Sequence, residues 1–110
     1  MYLLAINQND SFDIFDEPDT ENLVVDYDLL KGALNEIGVD HFEVVPFRFK
    51  ENDYILCVDE EGRFKENLLF NPEATLLSGR EIIGNALILS NHHDEEMYAL
   101  TKEQLESFIM

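Results

Sequence analysis

The sequence predicts an α+β domain: an antiparallel sheet of four to six strands with one main helix packed on it and short helices near residues 72–78 and 102–109. Three observations lead there. Leu29, Leu30, Ala33, Leu34 and Ile37 recur at the spacing of one helical face. Residues 42–49 read FEVVPFRF, rich in aromatic and β-branched side chains, and after Lys50-Glu51-Asn52-Asp53 an apolar run at 54–58 follows, the pattern of an antiparallel hairpin. Residues 82–89 are too continuously apolar for a strand with one wet face, so they read as a strand covered on both sides.

Taken in order, residues 2–6 are apolar and run into Asn7-Gln8-Asn9-Asp10, a strand stopped by turn formers. Residues 11–15 then alternate, with Phe12 and Ile14 on one side and Asp13 on the other, which predicts a first hairpin. Residues 16–22 are acidic, contain Pro18 and hold no apolar side chain, so they form an exposed loop; Leu23, Val24 and Val25 give a short strand after it. The main helix spans 28–37, capped by Asp26 or Asp28 and stopped at Gly38, and Gly32 inside it costs about 1 kcal/mol relative to Ala. Pro46 has no N–H for a ladder, which places its strand at an edge or at a bulge. Gly62 closes an acidic β-turn by supplying a positive φ. Asn71 caps a short helix that starts at Pro72 and ends at Gly79. Thr101 and Gln104 form a capping box for a last helix whose apolar face is Leu105, Phe108 and Ile109.

Length and composition set bounds. At 110 residues with 45% hydrophobic content, eight Phe and four Tyr, the chain is sized for a single domain, residues 1–110, with a real core. The unusual quantity is charge: 24 acidic residues against 7 basic ones give −17. Solubility needs a net magnitude of only about 2–8, and a larger surplus opposes compaction. No basic residue precedes Lys31, which argues against direct nucleic-acid binding and against docking on an anionic membrane. A surface of this sign is instead drawn to basic grooves. One cysteine, Cys57, allows no internal disulfide, and neither a signal peptide nor a membrane span is expected, so a reducing, cytoplasmic setting is expected.

No stretch carries a catalytic pattern. His92-His93-Asp94-Glu95-Glu96 contains metal-ligand residue types, but zinc signatures space their ligands two to five apart, so an exposed polar loop is the expectation and no metal or cofactor is predicted. Asp59-Glu60-Glu61-Gly62 lacks the alternating oxygen ligands of a calcium loop. Cys57 sits in an apolar strand, where a thiol behaves as a small hydrophobe. With no phosphate-binding glycine loop and no nucleophile elbow, a non-enzymatic protein is expected. The residues left for function are the acidic clusters: Asp13, Asp16, Glu17, Asp19 and Glu21; Asp59, Glu60 and Glu61; Asp94, Glu95 and Glu96. Held on a rigid sheet, such carboxylates can stand in for phosphates in a partner's basic groove and speed its capture at low salt.

The stretches LLKGALNEIGVDHFEVVPF and DYILCVDEEGRFKENLLFNPEATLLSGREIIGNALILS carry a recognisable combination. It comprises the Val58-Asp59-Glu60-Glu61-Gly62 turn, Asn71-Pro72-x-Ala74-Thr75, and Ile83-Gly84-Asn85-Ala86-Leu87. Over roughly residues 29–90 this resembles a family of small proteins of unknown function encoded by phages, plasmids and other mobile elements. What the resemblance implies is a mobile-element setting, in which small acidic proteins often block host defence nucleases. The expected function is therefore an anti-restriction or anti-CRISPR inhibitor that binds a host nucleic-acid-handling protein or nuclease complex, as a monomer or a homodimer. The alternative is a domain that binds or sequesters a small molecule or nucleotide near the Asn71-Pro72 turn, or an accessory protein of the element.

Overall fold

In a computed structural model, residues 1–17, 24–66, 68–94 and 96–109 are described, the Arg63 side chain apart. Six strands form one sheet: β1 (Tyr2–Ile6), β2 (Phe12–Asp16), β3 (Phe42–Phe49), β4 (Asn52–Asp59), β5 (Ala86–Asn91) and β6 (Met97–Tyr98). Their order is β2-β1-β5-β4-β3, with β6 also paired to β5, and every pairing is antiparallel. β5 is central, as its apolar run requires: all but its last residue are buried. β6 takes up the side of β5 that β1 leaves, pairing Ser90 with Tyr98 after Leu4 has paired with Ile88. The α+β class and the strand count agree with the sequence.

Alternation along the strands divides the core into two layers. Leu3, Ala5, Ile55, Cys57, Leu87 and Leu89 face α1 (Tyr27–Glu36), which brings down Leu30, Ala33 and Leu34. Leu4, Ile6, Val45, Leu56 and Ile88 face the other way, against Ala74 of α2 (Pro72–Ser78) and Leu105 of α3 (Lys102–Ile109). Full burial of each Leu or Ile stabilises by about 1.5–3 kcal/mol, so neither layer is dispensable. Phe108 closes the second layer, its ring centroid 4.8 Å from those of both Phe49 and Tyr54.

The caps follow their residues. Asp26 accepts from the Leu29 N–H at 2.8 Å, and Gly38 leaves α1 with φ +81. Thr101 and Gln104 each bond the other's backbone N–H, at 2.9 and 3.1 Å. Pro46 lies in β3 at the sheet edge, opposite Ile55.

Four local expectations are corrected. The β3–β4 connection is not four residues but two, Lys50 and Glu51, at φ 48 and 69, because Phe49 and Asn52 already pair and a tight turn of positive φ matches the strand twist. Gly62 has no positive φ; it opens a 3₁₀ turn (Gly62–Phe64) and is small because a Cβ there would lie 2.9 Å from the Ile83 carbonyl oxygen. The strand expected at 82–89 starts only at Ala86, since Gly84 at φ +91 turns the chain and Ile83 makes a single bridge to Phe70. Within 23–25, Val24 makes one bridge to Tyr98, and Leu23 lies outside the described residues.

Candidate functional site

Antiparallel pairing sends the acidic clusters to opposite ends of the sheet. Tyr54, Ser90 and Tyr2 mark one end, and Val58, Ala86 and Ile6 the other. At the first end β2 finishes in Asp16 and Glu17, and the Glu17 N–H donates to the Met1 carbonyl. Tyr2 and Leu100 exchange backbone hydrogen bonds of 2.8 and 2.7 Å, which fixes the chain leaving β6 beside β1. Val25 donates to the Met97 carbonyl at 2.8 Å, and Val24 bridges Tyr98. These links bring Asp26 and Asp28, at the start of α1, to the end that holds Asp94 and Glu96.

Six carboxylates thus gather at one end: Asp16, Glu17, Asp26, Asp28, Asp94 and Glu96. Among the described residues none of them makes an ion pair with Lys or Arg. Two also hold structure. Asp26 caps α1, and Asp94 accepts from the Tyr98 hydroxyl at 2.7 Å and from the Glu96 N–H at 2.9 Å. Those bonds hold the Asp94 carboxyl below its ordinary range, the Tyr98 hydroxyl being the larger cause, and the same contact raises Tyr98. The His92 ring stacks on Tyr98 with centroids 4.0 Å apart and planes 13° from parallel. His93, at φ 63, reaches Asp53 at 2.7 Å and depresses that carboxyl. His92, His93 and Asp94 are therefore anchored, and Asp94 and Glu96 are held relative to each other by the Glu96 N–H.

The other described candidates, Asp13, Asp59, Glu60 and Glu61, lie elsewhere. Asp13 turns onto the α1 face and accepts from Asn7 at 2.8 Å. Asp59, Glu60 and Glu61 sit at the opposite end, where Asp59 is buried between Lys65 at 2.7 Å and the Glu61 N–H at 2.8 Å. Asp59 is thus a structural carboxylate, while Glu60 and Glu61 are exposed. Asp19, Glu21 and Glu95 lie outside the described residues. Sequence reasoning missed Asp26 and Asp28 as members of the acidic end because it read them only as caps. The signal for β6 was present: Met97 to Leu100 is an apolar stretch after a polar turn, and the strand docks residues 24–25 there.

At the opposite end, amides rather than charges organise the loops. Asn71 is fully buried; its Nδ2 donates to the carbonyls of Ile6 and Gly84 at 3.0 and 2.9 Å, and its Oδ1 accepts from the Ala74 N–H. Asn85 accepts from the Gln8 N–H and donates to the Ile37 carbonyl. The polar atoms of the Asn71-Pro72 turn are therefore taken up inside the fold. A shallow cavity of about 430 Å³ opens beside Asn7, Gln8, Asp13 and Asn85. Cys57 is buried, which pushes its thiol up to about 12 and leaves it a hydrophobe. Among the described residues no three or more His, Cys, Asp or Glu side chains gather to hold a metal ion, and no helix is long and apolar enough to cross a membrane.

Comparison with curated proteins and with solved structures finds no match. The model of one protein family, described as a domain of unknown function (DUF3846), matches residues 14–110, which takes in α1, α2, α3, strands β3 to β6 and most of β2. The chain belongs to that family.

Proposed function

We propose that the protein is a non-enzymatic polyanion mimic, encoded by a phage, plasmid or other mobile element, that occupies the basic groove of a host nucleic-acid-handling protein of the restriction or CRISPR kind. The observation that carries this reading is the acidic end of the sheet. Asp16, Glu17, Asp26, Asp28, Asp94 and Glu96 come from three separate stretches of chain, are locked by backbone bonds, and have no Lys or Arg partner among the described residues. Such a cluster is destabilising to the protein that bears it, and its retention fits a role for a partner's cations. The net charge of −17 supplies long-range steering, and the resemblance to mobile-element proteins supplies the setting.

The test is a panel of nucleases and DNA-binding effectors, with affinity measured as salt is raised and in the quadruple variant Asp16→Asn, Glu17→Gln, Asp94→Asn, Glu96→Gln. A mimic loses affinity on both axes, competes with DNA for its target, and shows a shallower salt dependence in the variant. A bound nuclease whose affinity ignores salt and all four substitutions discards the mechanism.

A further inference from the structure

The two edge strands contribute to one apolar groove. Phe12 from β2 and Phe49 from β3 lie at opposite edges of the sheet order, yet both line a cavity of about 240 Å³ with Ile6, Leu77 and Phe108. The sheet curls around α2 and α3, and the groove is the seam left open between them. Its rim is unusually apolar for a chain this charged: Leu76 is 80% exposed, Phe12 39%, and Ile14, which shares Phe12's face of β2, 48%. Isolated exposed Leu residues need no explanation, but apolar side chains converging on an apolar hollow mark an interaction site.

The occupant follows from size and charge. Ligand pockets enclose about 300–1,000 Å³, so a hollow of 240 Å³ takes one or two side chains and leaves Ile14 and Leu76 wet under any small molecule. A second copy would bring another −17 against the first. Glu73 stands in the groove wall, and Asp16 shares a face of β2 with Phe12 and Ile14. No Lys or Arg lines the hollow among the described residues, and Lys50, 5.2 Å from the Phe49 ring centroid, donates to the Ser107 carbonyl. The hollow opens on the helix-covered face of the sheet rather than in its plane, so what enters it packs between helices and does not extend β2. We infer that this seam docks a basic amphipathic helix of a partner protein, which inserts apolar residues one turn apart among Phe12, Leu76, Leu77 and Phe108 while Lys or Arg beside them meet Glu73. This surface meets the acidic end only at Asp16, and it stands whether or not that end mimics a nucleic acid.

The probe is a synthetic peptide of about 18 residues, five turns of helix, built of Leu and Lys with Leu at helical spacing. Its controls are the same composition in strict alternation, which favours a strand, and a Leu/Glu helix. At about 0.15 M ionic strength the Leu/Lys helix is expected to bind, with amide NMR shifts centred on Phe12, Leu76, Leu77 and Phe108. Leu76→Gln, at a position already exposed, weakens binding about tenfold, the loss of one interface anchor. Phe12→Gln gives a second reading of the same wall, and the quadruple acidic-end variant has a smaller effect than either. The inference is overturned if the alternating peptide binds as well, if shifts centre on Asp16, Asp94 and Glu96, or if Leu76→Gln is without effect. Sedimentation of the wild type as a dimer that Leu76→Gln dissociates would assign the groove to a second copy and overturn it too.

Discussion

The two ends of the sheet are built from similar loop chemistry and put it to opposite uses. At the Val58 end, Asn71 and Asn85 spend their polar atoms on backbone carbonyls and N–H groups, and Asp59 is neutralised by Lys65. At the Tyr54 end, carboxylates accumulate without Lys or Arg partners among the described residues, and only Asp26 and Asp94 bond inward. Strands of five to eight residues separate the ends by roughly 17–25 Å, beyond the Debye length of about 8 Å at physiological salt. The ends are therefore electrostatically independent, and an amide-bonded end, with Glu60 and Glu61 exposed on its loops, can anchor a fold whose other end collects more carboxylates without Lys or Arg partners among the described residues. On that division, substitutions at the first end cost stability and substitutions at the second change little but binding.

The largest expected effect is Asn71→Ala. It removes the α2 cap and leaves the buried carbonyls of Ile6 and Gly84 without their donor, which costs about 2–4 kcal/mol in urea unfolding. A loss under about 1 kcal/mol would mean that the amide network does not anchor this end. Gly62→Ala comes next. Its Cβ would press on the Ile83 carbonyl oxygen at 2.9 Å, where backbone must move, at about 1–3 kcal/mol. Asp59→Asn has a smaller effect, because Asn keeps an acceptor for the Glu61 N–H and loses only the charge-assisted bond to Lys65. The Lys65 ammonium, held above its ordinary range first by that hydrogen bond, should titrate lower in the variant. At the other end, the quadruple variant Asp16→Asn, Glu17→Gln, Asp94→Asn, Glu96→Gln should unfold at nearly the wild-type urea midpoint, since Asn keeps an acceptor for the Glu96 N–H and like-charge relief offsets the weakened bond to Tyr98. A cost as large as that of Asn71→Ala would erase the contrast between the ends.

Much of the frame was legible because periodicity and caps are local. The α1 face, the Asn71-Pro72 start with its Gly79 stop at φ 74, and the Thr101–Gln104 box could be read from a few adjacent residues. What escaped was set by tertiary packing. Gly62 is needed for the approach of Ile83, twenty-one positions away, and no local rule distinguishes that from a turn glycine. Strand alternation suggested that β2 has one apolar face, but the curl that sets Phe12 and Phe49 around one groove is a property of the whole sheet. The charge surplus was plain from composition, whereas its partition between two ends depended on strand order, and Asp26 joined Asp94 only through β6, a two-residue strand.

The smallest effect concerns the one hydrogen bond that organises the acidic turn. Tyr98 donates to Asp94 at 2.7 Å, so the folded state favours an ionised Asp94 and a neutral Tyr98. Asp94 titrates below its ordinary 3.8, so its contribution is present above that value and is lost as pH falls through the folded one. Tyr98 titrates above its ordinary 10.0, so its contribution is present below that value and is lost as pH rises through the folded one. The difference in stability between wild type and Tyr98→Phe should therefore be level between about pH 5 and 9 and shrink at both extremes. Phe preserves the stacking surface for His92, so the comparison isolates the hydroxyl. In the variant the Asp94 carboxyl, followed by its side-chain carbon resonance, should titrate closer to 3.8, still held down by the Glu96 N–H. An unchanged Asp94 midpoint would mean that the turn is positioned by β6 pairing alone, and that the carboxylates at this end owe their arrangement to the backbone.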